Sequence, residues 1–73
     1  MENPSNLYQS QFNKAKEVLL ILENQRSEIE SKLKTNPSSD SLNKELRNIN
    51  LDIKITLNEI EFVEYRIQEC DSN

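Results

Sequence analysis

The chain has 73 residues, nine Lys and Arg against thirteen Asp and Glu, a net charge of −4, and no Gly, His or Trp. That length allows one domain with a small core. Without Gly there is no phosphate-cradling loop, without His the commonest general base is missing, and one Cys makes neither an internal disulfide nor a thiol zinc site. No enzyme activity, cofactor or metal is therefore expected. The nine basic residues are scattered, so neither nucleic acid nor an anionic membrane surface is an expected partner. The longest apolar run, Val18 to Leu22, is far below the roughly 20 residues of a membrane span. Met1-Glu2-Asn3-Pro4 lacks the basic start and apolar stretch of a signal peptide, so the expected setting faces the cytosol.

Asn3-Pro4 reads as a helix start, with Asn as cap and Pro preorganised for the first helical position. A first helix is expected over about residues 4–35. Along it Tyr8, Phe12, Ala15, Leu19, Leu22, Arg26, Ile29 and Leu33 are spaced by steps of four and three. The average step of 3.5 is that of a coiled-coil seam. Lys32 and Lys34 fall in the last turn, where cations suit the negative end of the helix dipole. Pro37 disfavours helical geometry at Asn36 and ends the helix.

A turn is expected at about residues 36–40. Ser38, Ser39, Asp40 and Ser41 all offer caps for a second helix, and the pattern does not choose among them. The second helix is expected over about residues 41–70, with Asp71, Ser72 and Asn73 frayed. It repeats the four-and-three steps through Leu42, Leu46, Ile49, Ile53, Thr56, Ile60, Val63 and Ile67. Thr56 interrupts the apolar row and is expected to bond back to its own helix. Cys70 reads as a weakly apolar position at the helix end.

So short a turn makes the helices antiparallel neighbours. The fold class is all-α: an antiparallel helical hairpin and a single domain spanning residues 1–73. The seam pairs in register, with Leu33 on Leu42, Ile29 on Leu46, Leu22 on Ile53 and Leu19 on Thr56. Ala15 on Ile60, Phe12 on Val63 and Tyr8 on Ile67 continue it. Arg26 falls opposite Ile49, where its stem can cover apolar surface while the charge reaches water. Lys14 and Lys16 are expected to approach Glu59, Glu61 and Glu64. The glutamates point in different directions around the helix and read as a solvated face rather than a metal site.

The seam leaves apolar residues unused: Leu7, Val18, Leu20 and Ile21 on the first helix, Leu51, Ile55, Leu57, Phe62 and Tyr65 on the second. At about 100° per residue, Leu51 points some 160–200° away from Ile49 and Ile53. Two helices cannot bury both sides of one of them. Contiguous exposed patches mark contact sites, so Leu51, Ile55 and Phe62, with Val18 and Ile21 beside them, are expected to meet another helix. That helix is either a third one of the same parent protein or a second copy of this chain, which makes a homo-oligomer a possible state.

The chain resembles the N-terminal domain of the syntaxin-6 family of SNARE proteins. The likeness lies in the acidic opening with Pro, Met1-Glu2-Asn3-Pro4, and in the pair Lys14-Ala15. It continues through Glu45-Leu46-Arg47-Asn48-Ile49-Asn50-Leu51-Asp52-Ile53, then Ile60 and Val63-Glu64 at matching offsets. It departs at Ser5, where the family usually has Phe, and at Leu51, where it usually has Trp. Lys54, Ile55 and Leu57 dilute the family's acidic run. The resemblance implies a three-helix bundle of which this chain carries two helices, with a SNARE motif and membrane anchor further downstream. It also implies a t-SNARE regulatory module in vesicle-mediated transport at the cytosolic face of Golgi, trans-Golgi network or endosomal membranes. The implied partners are other SNAREs and tethering factors. On the residues alone, a small coiled-coil structural subunit of a larger assembly is the alternative.

Overall fold

The protein's structure, a computed structural model, describes residues 4–71, and the side-chain surroundings of residues 6–70. It is all-α. Helix α1 spans Pro4–Thr35 and helix α2 spans Asp40–Asp71, 32 residues each. At a rise of 1.5 Å per residue each is about 48 Å long, and the hairpin they form measures 53 × 15 × 14 Å. Pro4 is the first helical residue. Asn3, the expected cap, lies outside the described residues, as do Ser72 and Asn73. Asp71 belongs to α2 rather than to a frayed tail.

Each end of the turn is closed by short-range bonds. The Asn36 amide donates to the Lys32 carbonyl at 3.1 Å, and the Thr35 hydroxyl donates to the same oxygen at 3.0 Å. The Ser39 amide then donates to the Asn36 carbonyl at 3.3 Å, closing a four-residue turn. Pro37 holds the second position of that turn, where its fixed φ fits. Of the four candidate caps, Ser39 takes the role. Its hydroxyl accepts from the Leu42 amide at 3.3 Å, three residues on, as a helix N-cap does. Asp40 therefore falls inside α2, in the first turn, where a carboxylate suits the positive end of the dipole. Asn43 adds a second clamp: its side-chain amide donates to the Ser39 carbonyl at 2.9 Å and the Pro37 carbonyl at 3.2 Å.

The core is a single thin layer between the helices. Within α1 and α2, solvent is withdrawn from the sixteen positions of the two four-and-three rows and from Cys70, which extends the second row by one further step of three. Five of them are buried: Ala15, Ile29, Ile53, Thr56 and Val63. Val63 is the most enclosed, at 2% exposure. The others remain half-buried, because two helices enclose a seam from only two directions. Thr56 resolves its polar group locally. Its hydroxyl donates to the Asp52 carbonyl at 2.8 Å, one turn back on the same helix, so a buried hydroxyl is satisfied without a partner across the seam.

Candidate interaction surface

The groove linings fix how the two helices sit against each other. One groove, of about 340 Å³, brings Lys14, Ala15 and Val18 of α1 against Thr56 and Glu59 of α2. Another, of about 350 Å³, brings Gln25, Ile29 and Lys32 against Glu45, Asn48 and Ile49. Ala15 is thus level with the Thr56–Ile60 turn, and Ile29 with the turn around Leu46. The chain directions are antiparallel.

Both grooves open on the same flank of the hairpin. Residues seven apart share a helix face, so this flank of α1 carries Leu7, Lys14, Ile21 and Glu28 beside Gln11, Val18, Gln25 and Lys32. The matching flank of α2 carries Asn48, Ile55, Phe62 and Glu69 beside Glu45, Asp52, Glu59 and Arg66. In this register Ile55 stands level with Leu20, hence between Val18 and Ile21, and Phe62 stands about two turns nearer the open end. Val18, Ile21, Ile55 and Phe62 thus lie together on one flank between and beside the two grooves. All four are exposed, from 38% for Val18 to 56% for Phe62.

Leu51 and Tyr65 do not lie squarely on that flank. Each is turned about 40–60° from the Ile55–Phe62 row, toward the outer back of α2. They are exposed as well. Leu51 therefore borders the face formed by the other four residues. On the opposite flank a shallow hollow is lined by Asn13, Lys16, Glu17, Leu19, Leu20 and Glu23, all from α1. Leu20 and Leu57 are the exposed apolar residues there, and they stand nearly level with each other. The remaining positions of that flank are mostly charged or amide side chains.

Of the charges expected to approach across the open end, Lys14 and Glu59 line one groove, but no ion pair forms between them. No ion pair joins Lys14 or Lys16 to Glu59, Glu61 or Glu64; the ion pair among the described side chains is Arg66 to Glu69, 3.2 Å apart on one helix. Lys16 instead lies over the Phe12 ring, 5.2 Å from its centre and one turn away on α1. A neighbour four residues along the same helix is already within reach, whereas a cross-hairpin pair must order two long side chains in water for roughly 0–1 kcal/mol. Among the described residues no cluster of His, Cys, Asp and Glu is placed to hold a metal ion, and no helix is long and apolar enough to cross a membrane. Cys70 is a free thiol.

No protein-family model, curated protein or solved structure matches the chain.

Proposed function

We propose that this chain is a non-catalytic protein-interaction domain, a helical hairpin that offers one flank to further helices. The observation that carries the reading is the exposed group Val18, Ile21, Ile55 and Phe62 on the flank where both grooves open. Half-exposed apolar side chains such as these favour complete burial by about 0.5–1.5 kcal/mol each before ordering costs, half the value for a fully exposed one. A two-helix seam of this size is marginal and gains from any helix that covers it.

The resemblance to syntaxin-6 family N-terminal domains supplies the setting. The parent protein is then a t-SNARE acting in vesicle-mediated transport at Golgi or endosomal membranes. The hairpin recruits or regulates SNARE partners and tethering factors. The test reads the coding sequence beyond Asn73 and images the tagged full-length protein against Golgi and endosomal markers. A third amphipathic helix, a heptad segment with a central Gln, an apolar anchor and overlap with those markers are expected. A stop codon after Asn73 with diffuse fluorescence overturns the SNARE setting.

A second reading, a small coiled-coil subunit of a larger assembly, is favoured by Leu20 and Leu57. They expose apolar surface on the opposite flank at nearly the height of Ile55. A subunit set between two neighbours would use both flanks. Purification of the tagged protein with stoichiometric companions, lost on Leu20→Glu and on Ile55→Glu alike, would support that reading over the first.

A further inference from the structure

We infer that the flank bearing Val18, Ile21, Ile55 and Phe62 is covered by the same flank of a second copy of this chain, giving a four-helix dimer in which α1 of each copy lies over α2 of the other. The inference rests on the reading of this flank as the interaction surface and names its occupant.

Area is the first argument. The accessible surface is 5822 Å² for a mass of 8.6 kDa, against about 4,700 Å² for a compact monomer of that mass. One flank of a 53 × 15 Å bar covers about 800 Å², the amount each partner of a standard stable interface buries. The surplus surface and the footprint of one flank are thus of similar size.

Charge fixes the arrangement. The two grooves each carry one lysine from α1 and one glutamate from α2: Lys14 with Glu59, between Phe62 and Val18 in height, and Lys32 with Glu45, beside Glu28 of α1. None of these four is ion-paired within the hairpin. A two-fold axis parallel to the hairpin's length keeps every residue at its own height and exchanges the two helices. Lys14 of each copy then faces Glu59 of the other, and Lys32 faces Glu45. The same operation sets Ile55 of each copy between Val18 and Ile21 of the other, and lays the Lys14 stem over the Phe62 ring. The alternative two-fold, across the hairpin's length, stacks α1 on α1 and α2 on α2. It brings Glu59 near Asp52 of the second copy, pairs Lys14 with Glu28, and leaves Lys32 over the Tyr8–Gln11 stretch, which carries no carboxylate. The first arrangement gives both lysines a carboxylate and the second only one, which selects the first.

Sedimentation equilibrium of the 73-residue chain tests this directly. A dimer is expected, and Ile55→Asp is expected to return it to monomer with helical circular dichroism retained. Leu20→Asp, on the other flank, should leave the dimer intact. Should Ile55→Asp unfold the chain, the double charge reversal Lys14→Glu with Lys32→Glu keeps the test open. That variant should weaken self-association about tenfold or more and form a heterodimer when mixed with Glu45→Lys, Glu59→Lys protein. A monomeric wild-type chain, a trimer, a dimer indifferent to Ile55→Asp, or charge variants that fail to pair overturns the inference. A monomeric chain that still binds a separate helical partner through Ile55 overturns only the second copy as occupant. Loss of no interaction on Ile55→Asp sinks the interaction-domain reading itself.

Discussion

The guanidinium of Arg66 lies 5.1 Å from the centre of the Phe62 ring, one turn away on the same helix. The same guanidinium holds Glu69 at 3.2 Å. In the single hairpin Phe62 is therefore shielded on one side by its own helix, and the rest of its ring faces water. Its neighbour Val63 is the most enclosed side chain in the described structure. One step along the helix separates a surface group from the centre of the core.

That contrast gives the first prediction. In dilute protein, Val63→Ala should lower unfolding free energy by about 1.5–2.5 kcal/mol, from two lost methyl groups and imperfect collapse around them. Phe62→Ala should cost only about 0.5–1 kcal/mol, the worth of an exposed cation–π contact. Urea denaturation of both variants at one low concentration checks the ordering. A Phe62→Ala loss equal to that of Val63→Ala would mean the ring is already covered.

The turn gives the second. Ser39→Ala removes the hydroxyl that accepts from Leu42 and should cost about 1 kcal/mol. Asn43→Ala removes two bonds to turn carbonyls and should cost about 1–2 kcal/mol, held low by exposure. Ser38→Ala and Ser41→Ala should stay within about 0.5 kcal/mol. Thermal midpoints of the four variants decide whether Ser39 is the cap in solution.

The hairpin's architecture was legible because burial on a helix has a period, and the chain writes that period twice. The expected bend was equally plain from Pro37 with its polar neighbours. Its atomic closure was not. Ser38, Ser39, Asp40 and Ser41 have near-equal cap preferences, and the winner depends on where the turn places each hydroxyl. Asn43 gave no signal, since an Asn inside a helix shows its use only once Pro37 and Ser39 stand beside it. The cross-hairpin charges were legible as neighbours, as Lys14 and Glu59 are, but not as unpaired ones, for a related reason. Lys14 and Lys16 share height with Glu59, Glu61 and Glu64, but height alone does not bring flexible side chains into contact, and Lys16 finds Phe12 on its own helix. The five expected partner-face residues divide in the same way. Val18, Ile21, Ile55 and Phe62 share a flank, while Leu51 is turned to its border, a distinction of tens of degrees that residue spacing alone blurs.

Ala15 gives the third prediction. It is the smallest side chain in the seam and is 5% exposed, at the groove where Val18, Thr56 and Glu59 converge. A Leu directed into the seam at this position has no room unless the helices move apart or the side chain swings out into the groove. Ala15→Leu should therefore destabilise by about 1–3 kcal/mol through overpacking, although it raises both hydrophobicity and side-chain area. Denaturant midpoints give the sign, and a gain in stability would show that the Leu side chain has swung out into the groove or that the helices are not closely apposed at this height.

Thr56 gives the fourth. It sits buried in the middle of an otherwise apolar row, and its hydroxyl spends its hydrogen on the Asp52 carbonyl. That carbonyl belongs to the α2 backbone ladder, so removing the hydroxyl leaves the oxygen with its helical partner. No polar group across the seam depends on Thr56. Thr56→Val keeps the branched shape, removes one desolvated hydroxyl and leaves no orphaned group, which makes the exchange neutral or favourable. A gain of up to about 1 kcal/mol is expected in urea denaturation of the hairpin. If Thr56→Val instead loses stability by more than about 1 kcal/mol, the hydroxyl has a partner beyond its own helix, and the seam is held by a polar contact at its centre as well as by its apolar rows.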